Sequence, residues 1–223
     1  MAKKALGAVA LLLLALLALA AAPPSAAPPP TALAEALARA DEVWSFSFTP
    51  LFDLPGGIYK AGVTYHEVPY GQDSIDRAGD HLLLFEVPLE RFAAELLDPD
   101  SVLYTDTEYR DYRGLATPYY NLDCSGYVSY IVGLSRHSTA NLSMAAIDGT
   151  ELYFGNADYS DIRAGDILNI AGEHTRWVWQ IEGDRVYYYE QRGSGLPATR
   201  KHDNTIAELQ SAGYVVIHVR AFD

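Results

Sequence analysis

Apolar positions along the chain change rhythm between its first and second halves. From Thr31 to Trp44, Leu33, Leu37 and Val43 recur at near-helical spacing among alanines, which predicts a helix with Thr31 available as its cap. Phe85 to Leu97 predicts a second helix, with Pro88 in its first turn and Leu89, Phe92 and Leu96 on one face. Asp-Cys-Ser-Gly followed by Tyr-Val-Ser-Tyr-Ile-Val predicts a third, starting with Asp123 at or near the N-cap. Ser138 or Thr139 caps a short fourth. The rhythm then shortens. Ile162 to Ile170 reads as a turn feeding a strand, and Gly172-Glu173 is a break. His174 to Ile181 and Arg185 to Gln191 are the Val-, Trp- and Tyr-rich arms of a hairpin joined through Glu182-Gly183-Asp184. Thr205 to Ala212 is a short helix, and Tyr214 to Arg220 a closing strand. Helices first and strands last predict an α+β fold with an antiparallel sheet.

Other stretches carry no period. Ser45 to Pro55 is aromatic and interrupted by prolines, Gly56-Gly57 is a turn, and Pro69 and Gly71 bound a short turn around Tyr70. Leu97 to Asn121, rich in Asp, Tyr and Thr, reads as a long irregular connection whose tyrosines either wall a cleft or cover a small core. At the N-terminus, Lys3 and Lys4 precede an apolar run from Ala5 to Ala22, with small residues at Ala18 and Ala20. This is the pattern of a secretory signal peptide over residues 1–20, so the expected location is secreted or cell envelope. The alternative is an uncleaved segment that anchors the protein to the membrane. Residues 21–30 form a Pro/Ala linker, and 31–223 are expected to be one domain.

A net charge of −13, with no basic cluster after the leader, argues against nucleic acid and anionic lipid as partners. The chemistry centres on Cys124, the single cysteine. With no disulfide partner it is either an inert core residue or a reactive thiol. In the first turn of a helix it is expected to favour the thiolate. Of six histidines, His66 and His81 lie in irregular segments before it, His137 beyond its helix, and His202 in a polar loop. His218, between apolar residues of the last strand, reads as structural. His174, opening the hairpin, is best placed as the base. Behind it, a two-residue Gly183-Asp184 turn pairs Ile181 with Val186 and puts Gln191 on the His174 face. A longer loop or a bulge puts Glu190 there instead. One cysteine and scattered histidines give no metal-ligand spacing, and no cofactor is implied.

These residues carry a resemblance. Asp123-Cys124-Ser125-Gly126-Tyr127-Val128 resembles the nucleophile motif of the NlpC-like cell-wall cysteine peptidases. Ala164-Gly165-Asp166-Ile167-Leu168 followed by His174 is similar to their Gly-Asp strand and histidine, and Val68-Pro69-Tyr70-Gly71 to their Pro-Tyr segment. Glu190-Gln191 is similar to a Glu-Gln branch of that family and to the glutamate of the CHAP amidases. The resemblance implies a papain-like α+β fold, with the nucleophile-bearing helix packed on an antiparallel sheet. It implies hydrolysis of an amide in peptidoglycan stem peptides or a related peptide through a thioester. It assigns Cys124 as nucleophile, His174 as general base then acid, and Glu190 as the orienting residue. Tyr70, Asp123 and Ser125 become substrate contacts, with the Cys124 N–H as an oxyanion donor and Tyr70 as a second. Two features depart from the family pattern: Thr175-Arg176-Trp177 follow the histidine where small apolar residues are usual, and the span from Tyr70 to Asp123 is long. The rival expectation is a catalytically degenerate papain-like binding module at the cell wall. Acyl transfer would differ only in its acceptor.

Overall fold

A computed structural model describes residues 31–72, 88–148, 154–193 and 196–223. The signal-peptide and linker expectations for 1–30, and the candidate His81, lie outside these residues. The elements in chain order are helices α1 (Thr31–Trp44), α2 (Leu89–Glu95), α3 (Val102–Thr105), α4 (Cys124–Val132) and α5 (Thr139–Asp148), then strands β1 (Phe154–Ala157), β2 (Ile167–Ile170), β3 (His174–Glu182), β4 (Arg185–Gln191) and β5 (Thr199–Thr205), and finally α6 (Ile206–Ser211) and β6 (Val215–Val219). The strands form one antiparallel sheet in the order β1-β6-β2-β3-β4-β5. The α+β class with an antiparallel sheet is therefore what the chain forms. Among the described residues, no helix is long and apolar enough to cross a membrane.

Alternation along the strands divides the apolar residues between two faces. Ile167, Trp177, Tyr189 and Ile217 face one way, in a core shared with Ala36, Ala40 and Val43 of α1 and Tyr127, Val128 and Ile131 of α4. Leu168, Val178, Val186 and Val216 face the other way and pack with Tyr188, Leu209 and Tyr214. Helix α4 is buried on almost every side, which suits its nearly continuous apolar character. Its Tyr127 also donates a 2.7 Å hydrogen bond to the Ala40 carbonyl, joining the two helices. Truncating Tyr127 or Trp177 would leave a cavity costing about 3–5 kcal/mol.

Three local expectations need correction. The described part of the helix placed over Phe85 to Leu97 runs only from Leu89 to Glu95, and Pro88 is its N-cap. Pro88 has an extended ψ of 153, so it stands outside the helix it introduces. His202, expected in a polar loop, lies in strand β5, which pairs with β4 along its whole length. The β5 sequence Thr-Arg-Lys-His-Asp-Asn-Thr has the charged character of a sheet edge and so lacks the apolar alternation that marks an interior strand. Strand β1 was not anticipated either. In the long connection, Ser101 caps the one-turn helix α3, and buried Asp111 binds the backbone N–H groups of Gln72, Arg113 and Leu115. Tyr120 enters the core, while Arg113, Leu115 and Thr117 of the same connection line a cleft.

Candidate active site

Cys124 opens α4, and the first turn is tightly tied. The Asp123 carboxylate accepts the Gly126 N–H at 2.7 Å and the Ser125 hydroxyl at 3.1 Å. Arg136 completes the knot, donating to the second Asp123 oxygen at 2.5 Å and to Ser125 Oγ at 2.9 Å. Asp123 and Ser125, expected as substrate contacts, are buried, and their side chains are engaged in holding this turn.

The thiol does not have the expected charge. Burial, together with the nearby Asp123 carboxylate, pushes Cys124 up to about 12, against the N–H groups of Thr175 and Ser125 and the charge of Arg136. A helix N-terminus contributes about 1 kcal/mol to an anion, less than desolvation removes from a group 2 % exposed. The resting sulfur is a protonated thiol. The Thr175 N–H is free to face it because the β3–β4 ladder ends at Trp177↔Tyr189, before reaching Thr175. His174 therefore stands at the same strand end as the sulfur, although the two make no direct hydrogen bond among the described residues.

The register of the hairpin decides what stands behind His174. The turn is the two-residue Gly183-Asp184, with Gly183 at φ 62 where a side chain would be strained. Ile181 pairs with Val186, the register that on its own leads to Gln191. A bulge at Trp179, between Val178 and Gln180, then shifts the pairing by one. Glu190 consequently shares a face with His174, and their side chains meet at 2.9 Å between Nε2 and Oε2. Arg176 donates its Nε to the same oxygen, also at 2.9 Å. Burial alone would raise the Glu190 carboxyl, but the bond from His174 and the Arg176 charge outweigh it and hold the group at about 2. An ionised Glu190 accepts from Nε2–H, which leaves His174 Nδ1 as the nitrogen able to accept a proton.

Arg176, in the sequence only a departure from the small apolar residues usual after the histidine, is a third member of this cluster. Its guanidinium lies 4.3 Å from the Tyr188 ring centre and 4.4 Å from that of Tyr214. His202 stacks on the outer side of Tyr188, and His174 meets Tyr214 edge-on. The only local signal for this role is parity, since Arg176 lies two residues beyond His174 on one strand.

Gln191 points to the opposite face. It donates to the Val68 carbonyl at 3.0 Å and accepts from Thr199 Oγ1 at 2.7 Å, fastening the segment that carries Tyr70. Tyr70 pairs in parallel with Leu122, and the Leu122 N–H bonds the Pro69 carbonyl at 3.0 Å. This brings Tyr70 alongside Asp123 and Cys124. Burial first, then the negative charge Cys124 acquires on losing its proton and that of Asp123, raise its hydroxyl well above the ordinary tyrosine value. Gly71 is required beside it, because a Cβ there would come within 2.3 Å of the Asn121 side chain.

The other described histidines are engaged elsewhere. His66 bonds Ser47, His137 bonds the Ser135 carbonyl, and His218 bonds Asp166 and Asp223. No cluster of three or more His, Cys, Asp or Glu suited to a metal occurs among the described residues. Thiol, imidazole and carboxylate thus converge on one end of the sheet, a set chemically equipped for acyl transfer. Neither protein-family models, nor curated proteins, nor solved structures returned a match to this chain.

Proposed function

We propose that this protein is an exported cysteine hydrolase of papain-like architecture, resembling the NlpC-like peptidases, that cleaves amide bonds in peptidoglycan stem peptides. The observation that carries the reading is the Trp179 bulge, which aligns an ionised Glu190 with His174 beside the helix start bearing Cys124. Export rests on the pattern of residues 1–20.

In the reaction, His174 Nδ1 takes the thiol proton as sulfur attacks the amide carbonyl carbon, and the carbonyl π electrons move onto oxygen. With the thiol held at about 12, proton transfer accompanies attack and no thiolate accumulates beforehand. The Cys124 N–H at the helix start and the Tyr70 hydroxyl stabilise the oxyanion. Collapse returns the electrons, breaks the C–N bond and sends the His174 proton to the leaving amine. Water, deprotonated by His174, then cleaves the thioester and restores the thiol. Glu190 keeps the ring in the tautomer this cycle needs.

Amine release from muropeptides by purified protein tests the proposal. Cys124→Ala should abolish it while leaving the melting temperature essentially unchanged, and undiminished release by that variant sinks the reading. The buried, protonated thiol and the lack of a Cys124–His174 hydrogen bond favour one rival, a binding module that has lost catalysis. That module would bind muropeptides without releasing amine, and Cys124→Ala would not alter its affinity.

A further inference from the structure

One cleft adjoining the site is not used by the chemistry above. It encloses about 310 Å³ beside Tyr70 and is walled by apolar side chains including Ile58, Leu115 and Leu196. Two arginines reach it, and they differ. Arg113 is neutralised by the buried Asp111 carboxylate, which takes its Nε at 2.8 Å and Nη2 at 2.6 Å. The exposed Arg192 guanidinium has no ion-pair or hydrogen-bond partner among the described residues.

Arg192 lies two residues beyond Glu190, and its N–H still pairs with the Ala198 carbonyl at 2.8 Å. The extended run therefore continues past β4 and carries Arg192 towards the His174–Glu190 side. Its charge is felt at the Tyr188 and Tyr214 hydroxyls of that cluster. A second observation is independent of charge. Thr117 also lines the cleft, and its hydroxyl is buried without any hydrogen-bond partner. Buried polar atoms of this kind are uncommon because each forfeits its bonds to water.

We propose that this cleft is a subsite for a carboxylate-bearing peptide, with Arg192 receiving the anion, Thr117 supplying a second polar contact and the apolar wall covering the peptide body. One uncompensated guanidinium matches one carboxylate. A phosphate dianion would meet a single uncompensated cation among the described residues lining the cleft, in a chain whose net charge is −13. As a substrate subsite the proposal rests on the hydrolase reading, whereas the binding itself does not.

The test uses the full chain carrying Cys124→Ala, so that binding is read without turnover. Titration calorimetry at low salt compares N-acetyl-trialanine bearing a free C-terminal carboxylate with its C-terminal amide. The acid should bind about tenfold more tightly, the scale of one charge-assisted bond. Adding Arg192→Gln should erase that preference, and Arg192→Lys should keep part of it. Equal affinity for the two peptides, binding of neither, or a preference that survives Arg192→Gln overturns the proposal. None of these outcomes bears on amine release by the Cys124 protein. Conversely, a protein without turnover that retains the preference loses the hydrolase reading and keeps the site.

Discussion

Two histidines in this protein bond buried carboxylates at nearly the same distance, and they differ in whether the second ring nitrogen is taken. His174 meets Glu190 at 2.9 Å and His218 meets Asp166 at 2.8 Å. Both carboxylates are at most 2 % exposed. Their acidities shift in opposite directions: Glu190 is held at about 2, whereas burial raises Asp166 despite its bonds from the Arg163 N–H and His218. The difference lies in the third partner. Glu190 is bonded directly by a guanidinium clamped between two tyrosine rings. The Arg163 guanidinium at the other pair instead bonds His218 Nε2 and Asp223, and leaves the Asp166 carboxylate without a direct cation among the described residues. A buried histidine–carboxylate pair is thus not itself a catalytic signature. What distinguishes one is a ring nitrogen left free and a carboxylate prevented from taking the proton.

The largest test of this contrast exchanges the two histidines for alanine. His174→Ala should lower kcat/KM on muropeptides by about 10²–10⁴, the usual contribution of a general base. His218→Ala should leave kcat/KM within about twofold and lower stability by about 1–3 kcal/mol, because buried Asp166 loses one of its two hydrogen-bond partners among the described residues and keeps only the Arg163 N–H. Parallel kinetics and urea unfolding separate the two, and a comparable kinetic loss in both variants would remove the distinction.

Next in size is the clamp. Arg176→Met leaves Glu190 buried with one cation removed, and breaking a buried pair in this way costs about 3 kcal/mol or more. The Glu190 carboxyl should also rise, moving the acid limb of the kcat/KM profile to higher pH. Arg176→Lys should restore part of the stability but less of the pH profile, since an ammonium cannot stack between Tyr188 and Tyr214 as a planar guanidinium does. A profile unchanged in Arg176→Met would mean that His174 alone keeps Glu190 ionised.

This clamp also marks where the chain could be read and where it could not. Asp123 as helix cap, the Gly183-Asp184 turn and His174 at the head of β3 are signalled by local residue types, and each stands where expected. The choice between Glu190 and Gln191 was not legible in the residues themselves; only the family resemblance pointed to Glu190. The bulge falls at Trp179 in the run Val-Trp-Gln-Ile, with no glycine or proline to announce it. Arg176 could be noticed but not interpreted, because its partners lie on β4 and just before β6 and meet it only once the sheet forms. The thiol charge misled for a related reason: helix position is local, whereas burial of Cys124 depends on β3 arriving over it. Strand β5 escaped because an edge strand can be polar on both faces.

The pH dependence of folding should carry opposite signs at the two pairs. Glu190 has a folded value of about 2, below the unfolded value of about 4.3. Its contribution to stability is present above the unfolded value and is lost as pH falls through the folded one. Asp166 is raised above the unfolded value of about 3.9, so its contribution is complete below that value and declines as pH rises through the folded one. Urea midpoints measured from pH 2 to 6 should show a gentler acid decline in Glu190→Gln than in wild type. Asp166→Asn should show the reverse change above about pH 4. The same slope in both variants would mean that the two carboxylates do not differ as described.

The smallest expected effect lies at the outer end of the stack. His202 covers the far side of Tyr188, at a centroid separation of 6.2 Å and an interplanar angle of 25°. It touches neither Glu190 nor the thiol, and its Nδ1 bonds its own strand at the Asp203 carbonyl. His202→Ala removes one face of a stacked pair at a largely exposed position, which is worth about 0.5–1 kcal/mol. Arg176 keeps both of its tyrosines in that variant, because Tyr188 is also held by its hydroxyl bond to Asn204 at 2.6 Å. Thermal unfolding should therefore shift slightly while kcat/KM and its pH profile stay in place. A displaced profile would show that the stack, rather than the guanidinium alone, sets the charge of Glu190, and the contrast with His218 would then have to be drawn across the whole row of rings.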